Sequence, residues 1–162
     1  MNLRKGLLLA SLAAIVACDN DTRSCTDQSC TPLRIEIELD TALLSEPTIE
    51  LVADGEPFSQ TCSLPELDVY RPCVTQGGDL GEQFAVSTDL LGREGSVVAI
   101  ITVANYGKSH RTGPSQLQVS IDGGEGEVFG EVFSPEYEDL GEFWGAGCGT
   151  CSSTEILRPL AD

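Results

Sequence analysis

An all-β domain, built as an antiparallel β-sandwich, is the fold this sequence predicts. Three observations carry the prediction. Apolar residues recur at every second position in stretch after stretch, as in LRIEIEL at 33–39, which puts one face of a strand on a core and the other in water. Turn-forming residues punctuate these stretches at intervals of about 8–12 residues, the spacing of sandwiches and barrels. Beyond the first eighteen residues, no segment holds a 3.6-residue period over any length.

Taken in order, Leu33, Ile35, Ile37 and Leu39 form the inward face of the first strand, with Arg34, Glu36 and Glu38 outward. TIELVAD at 48–54 is a second strand, ended by Asp54-Gly55. FSQTC (58–62) and DVYRPCV (68–74) follow, separated by a proline-bearing loop. QFAVSTDL at 83–90 alternates around Phe84 and Val86. VVAIITV at 97–103 is apolar on both faces, so a loop or a partner must cover the face turned from the core, and a covering loop is the expectation. QLQVSI at 116–121 alternates on Leu117, Val119 and Ile121 and runs into Asp122-Gly123, a hairpin signal because both central residues of such a turn need positive φ. GEVFGEVF at 126–133 is the return strand, with a bulge expected at Gly130. EILRPL at 155–160 is a last strand, which Pro159 confines to an edge because proline donates no ladder hydrogen bond.

The N-terminus follows another pattern. Arg4 and Lys5 precede an apolar run from Leu7 to Ala17. A membrane-spanning helix needs about 20 such residues, so the run has the size and flanks of a secretory leader. It ends in Ile15-Val16-Ala17-Cys18, which resembles the lipobox of bacterial lipoproteins. The resemblance implies that residues 1–17 are removed as a signal peptide and that Cys18, the new N-terminus, carries a covalent diacylglycerol. The protein would then be extracytoplasmic and held to an inner or outer bacterial membrane, in the periplasm or at the cell surface. Two or more acyl chains hold a protein stably where a single one does not. Asp19 resembles the inner-membrane retention mark of some Gram-negative lipoproteins. Residues 18–32 become a lipidated polar tether, whose stretch after Cys18 reaches roughly 45 Å when extended, and residues 33–162 the sandwich. At the level of fold the domain is similar to immunoglobulin-like or transthyretin-like sandwiches, although the Cys…Trp…Cys order of true immunoglobulin domains is absent. It also resembles the small cysteine-containing lipoproteins of Gram-negative bacteria, a likeness that implies no particular activity.

Seven cysteines stand at 18, 25, 30, 62, 73, 148 and 151. With Cys18 given to lipid, six remain for disulfides in an oxidising compartment. Six allow fifteen pairings. Proximity suggests Cys25 with Cys30, Cys62 with Cys73 and Cys148 with Cys151, while a long-range bridge from Cys62 or Cys73 to the C-terminal pair stays open. Formal charge is −17, and loss of Arg4 and Lys5 with the leader moves it to −19. Nucleic acid is thereby excluded as a partner, since its binding needs basic surface to replace counterions.

Few residues offer chemistry. EFWGAGCGTC at 142–151 resembles the active-site segment of thioredoxin-like oxidoreductases through Phe143, Trp144, Cys148, Gly149 and Cys151. That chemistry requires the first cysteine at a helix N-terminus with most of a βαβ fold behind it. Here SSTEILRPLAD is all that follows, and Gly145, Gly147 and Gly149 favour a turn over a helix. A structural turn is the expectation, and a thiol–disulfide protein using Cys148 and Cys151 the alternative. His110, the single histidine, is expected on an exposed loop, where with Lys108 and Arg111 it forms the domain's one basic cluster. Gly107-Lys108-Ser109 lacks the first glycine of a phosphate loop, that place being Thr102. Zinc lacks a second CxxC. For calcium, Asp122, Glu125 and Glu127 are the candidate ligands, with Glu136, Glu138, Asp139 and Glu142 crowding the next loop; a solvated acidic rim is the expectation and no resident cofactor or metal. The expected function is therefore non-enzymatic: binding or structural support at the cell envelope, with the membrane as one partner through lipid and an envelope protein or glycan as another.

Overall fold

A computed structural model describes residues 30–75, 81–105, 110–142 and 149–160. In chain order the strands are β1 (Leu33–Asp40), β2 (Thr48–Ala53), β3 (Glu56–Thr61), β4 (Tyr70–Pro72), β5 (Val74–Thr75), β6 (Phe84–Arg93), β7 (Ser96–Asn105), β8 (His110–Arg111), β9 (Leu117–Asp122), β10 (Glu127–Phe133), β11 (Glu138–Asp139) and β12 (Thr150–Arg158), with a 3₁₀ turn at Thr41–Leu43. They form two sheets. The first runs β11-β12-β1-β7-β6-β4, with β8 paired to β12, and the second runs β10-β9-β2-β3-β5. The fold is an all-β sandwich.

Alternation builds the core. β1 buries Leu33, Ile35, Ile37 and Leu39 and leaves the intervening residues half-exposed. Across the interior, β2 contributes Ile49 and Leu51 and β9 contributes Leu117, Val119 and Ile121, all at most 1 % exposed. Each such side chain withdraws enough apolar surface to contribute roughly 1.5–3 kcal/mol. Asp54 (φ 46°) and Gly55 (φ 90°) make the two-residue turn from β2 to β3, the conformation their residue types announce.

Several sequence expectations are corrected. The sandwich is not wholly antiparallel: β1 and β12 pair in parallel, Leu33 opposite Thr154 through Ile37 opposite Arg158. A parallel neighbour needs no turn between its strands, so local sequence cannot announce it. The last strand starts earlier than Glu155, at Thr150, and is lined by β1 and, at Ser152 and Ser153, by β11; Pro159 ends it. No bulge occurs at Gly130, which pairs regularly with Ser120; the register breaks between Glu127 and Phe129. The Glu127 carboxylate folds back over Gly130, 2.9 Å from where a Cβ would stand, so the glycine makes room for a side chain. The β9–β10 connection is a four-residue loop, with positive φ at Gly124 and Gly126 instead of at Asp122-Gly123. The outer face of β7 gets its cover from neighbouring strands instead of a loop. Val98 (2 % exposed) lies between Glu38 and Leu91, and Ile100 (5 %) between Glu36 and Asp89, on the strands that flank it.

Candidate functional site

β1 fixes two ends of the molecule. Cys30, just ahead of it, is buried and bonded to Cys151, just inside β12. Asp40, at its far end, lies about 23 Å from Leu33 by strand rise. Around that far end, between the sheets, opens a cleft of about 370 Å³. Its floor is apolar: Ile37 and Leu39 from β1, Leu43 from the 3₁₀ turn, Val128 and Phe129 from β10, and Leu160 beyond β12. Local structure explains the lining. Asp40 caps the 3₁₀ turn by accepting the Ala42 N–H at 2.8 Å, and the turn holds out Leu43, 57 % exposed. The register break between Glu127 and Phe129 interrupts alternation, so adjacent Val128 and Phe129 both reach the cleft.

The cleft's polar residues are unbalanced. Among its lining residues Glu38 and Asp40 are acidic and Arg158 is the one cation. Arg158 is already engaged: its Nε and Nη2 donate to Glu131 at 2.8 and 2.6 Å, and its guanidinium lies 5.1 Å from the Phe133 ring centroid. Hydrogen bonding from Arg158 holds the Glu131 carboxyl below its ordinary range, and the same bonds push the Arg158 guanidinium up. With Arg158 neutralised, the remaining field in the cleft is negative. Glu38 accepts from the Ser96 hydroxyl at 2.7 Å, which leaves its charge in place. β10, beside the cleft, closes the second sheet's order, and among the described residues no strand pairs with its outer side.

The predicted site residues separate. Cys62 and Cys73 are bonded to each other, Cα–Cα 4.3 Å, and tie the end of β3 to the crossing between β4 and β5. Cys30 is bonded to Cys151 across 121 residues, Cα–Cα 6.2 Å, so neither Cys25–Cys30 nor Cys148–Cys151 is the pairing. Parallel β1 and β12 explain this bridge, since Leu33 opposite Thr154 places Cys30 opposite Cys151 in continued register. Cys151 is thus bonded to Cys30 and not to its CxxC neighbour. Cys18, Cys25, Cys148, Phe143, Trp144 and Lys108 lie outside the described residues. Two disulfides fit a non-reducing, extracytoplasmic environment, and among the described residues no helix is long and apolar enough to cross a membrane.

His110 occupies a short strand instead of a loop. Its Nδ1 meets the Thr150 hydroxyl, and its Nε2 lies 3.5 Å from the Ser152 Oγ. That distance is long for proton transfer, which needs about 2.6–3.2 Å. Asp139, opposite Ser152, spends its Oδ1 on the Gly141 N–H. Among the described residues, the hydroxyls of Thr150 and Ser152 position the histidine. The calcium candidates do not converge. Asp122 accepts from Gly124 N–H, Glu127 from the Ser120 hydroxyl, and Glu125 is exposed. Among the described residues no three acidic, histidine or cysteine side chains gather as metal ligands.

Sequence reasoning missed the cleft. Leu43 and Leu160 stand outside any period, and only folding brings them together. One signal was legible: the Val-Phe pairs at 128–129 and 132–133 break strict alternation, which marks a strand with apolar residues on both faces. No family model matches the chain, and neither the curated proteins nor the solved structures include a match.

Proposed function

We propose that this chain is a lipid-anchored extracytoplasmic lipoprotein that acts by binding, without catalysis, and presents the cleft between β1, β10 and β12 to an envelope protein or glycan. One observation carries the reading: the tether enters at Cys30, and the cleft lies at the opposite end of β1. A domain fastened to a membrane at one end is free to meet partners at the other. The Ile15-Val16-Ala17-Cys18 lipobox supports the anchor, and the absence of an assembled nucleophile, base and acid among the described residues supports a binding role.

The anchor is tested by expressing the full chain in a Gram-negative host with labelled palmitate. The native chain should take up label and sediment with membranes, whereas Cys18→Ser should do neither. A Cys18→Ser chain that stays with the membrane and still incorporates label overturns the reading. The site is tested by a photo-crosslinking residue placed at Leu43 or, as a control, at Tyr70, which is equally exposed on β4. Discrete envelope adducts at Leu43 and none at Tyr70 are expected; the reverse pattern places binding elsewhere.

A further inference from the structure

We infer that the cleft receives an extended, basic peptide segment of a partner protein, added as a strand along the open edge of β10. The inference deepens the binding reading above and rests on it. β10 offers seven residues of backbone, Glu127–Phe133, with no strand on its outer side among the described residues. Exposed edges are usually guarded by proline, lysine or an inward charge. This edge carries neither proline nor lysine; the Glu131 charge is paired with Arg158, and the Glu127 charge, which its bond from the Ser120 hydroxyl leaves in place, favours a basic incoming strand. Its backbone is therefore available to pair.

The adjoining cleft supplies what a bare edge lacks. A strand laid along β10 turns alternate side chains to one side. Those side chains meet Leu43, Phe129 and Leu160, an apolar floor sized for two or three aliphatic groups. Glu38 and Asp40 at the rim select Lys or Arg at the flanks. The same field disfavours a second copy of this chain, which brings a net charge of −17. A glycan has no backbone amide to pair with β10. Main-chain hydrogen bonds would set affinity and the alternate pockets the sequence preference.

The test titrates the full chain, in detergent, with three synthetic octapeptides: alternating Lys-Val, alternating Glu-Val, and Lys-Val with alternate amides N-methylated along one edge. Lys-Val should bind, shifting β10 amide resonances, and the N-methylated peptide should bind about tenfold or more weakly through the loss of at least two backbone hydrogen bonds. Leu43→Asn, at an exposed position that leaves the melting temperature unchanged, should weaken Lys-Val several-fold. Equal binding of the N-methylated peptide overturns strand addition. Equal binding of Glu-Val overturns the basic preference. Failure of all three peptides, while the Leu43 crosslinker still captures an envelope adduct in cells, overturns this inference and leaves the binding function standing. Concentration-dependent dimerisation abolished by Val132→Pro assigns the edge to a second copy and likewise overturns it.

Discussion

Asp54 shows how much one carboxylate can organise. It sits at φ 46°, starting the β2–β3 turn, and accepts the Ser115 N–H at 3.0 Å, the Ser115 hydroxyl at 2.7 Å and the Gln116 N–H at 2.8 Å. Burial works to raise its pKa, but these hydrogen bonds outweigh it and hold the carboxyl below its ordinary range. Close by, the Tyr137 hydroxyl donates to the Pro114 carbonyl at 2.7 Å; burial, then the charge of Asp54, pushes the phenol well above its usual range. The two groups act at opposite ends of the pH scale. A carboxyl lowered by folding contributes stability above the unfolded value near 3.9 that is lost as pH falls through the folded one. A phenol raised by folding contributes below the unfolded value near 10 and is lost as pH rises through the folded one. Asp54→Asn should therefore flatten the fall in melting temperature below about pH 4, and Tyr137→Phe should flatten the fall above about pH 10; unchanged slopes refute the assignments. A third residue points the other way. Thr88 is 1 % exposed and its hydroxyl has no hydrogen-bond partner among the described residues. Thr88→Val keeps the shape and removes the stranded polar atom, so it should raise stability by about 1 kcal/mol in a denaturant titration; a loss of that size refutes the claim.

Among the strands, β7 and β10 are opposites, and the contrast decides where substitutions hurt. β7 pairs with β1 over eight residues and with β6 over ten, and both of its faces are shielded. Ile101, 0 % exposed, should cost about 2–5 kcal/mol on change to Ala. Val132, 55 % exposed on β10, should cost less than about 1 kcal/mol on the same change. A smaller loss at Ile101 than at Val132, read from urea midpoints at unchanged slope, would overturn this ranking. The same contrast explains what the sequence made legible. β1, β2, β6 and β9 emerge from period two because each runs six residues or more with one face on the core, and β7 from a continuous apolar run. β5, β8 and β11 are two residues each, too short for any period, and tertiary pairing alone defines them. Gly130 marks not a bulge but space for the Glu127 carboxylate, an accommodation within the strand that glycine chemistry does not announce. The cleft was hidden for a related reason: Leu43, Phe129 and Leu160 come from three elements, and no window of sequence contains them together.

At the scale of the molecule, the two disulfides do different work. Cys62–Cys73 closes an 11-residue separation and ties the crossing between sheets to β3. Cys30–Cys151 closes 121 residues and joins the entry of the chain to its final strand. If bridges stabilise chiefly by restricting the unfolded chain, the longer closure contributes more, about 4–5 kcal/mol against about 3. On the proposal that the chain is anchored through Cys18, it also shapes how the domain responds to load. A pull on the tether reaches Cys30 and divides at the disulfide between parallel β1 and β12, so neither strand can slide out alone. Paired Cys30→Ala and Cys151→Ala should thus lower the denaturant midpoint more than paired Cys62→Ala and Cys73→Ala. Under force applied through residue 30, the first pair should convert a sandwich that unfolds as one unit into one that releases β1 first. Proteolytic mapping of the unreduced chain provides the matching covalent check. It should return Cys30 joined to Cys151 and Cys62 joined to Cys73. Recovery of Cys30 joined to Cys25, or of Cys151 joined to Cys148, would restore the local pairing that proximity suggests and remove the junction between tether and last strand on which the division of load depends.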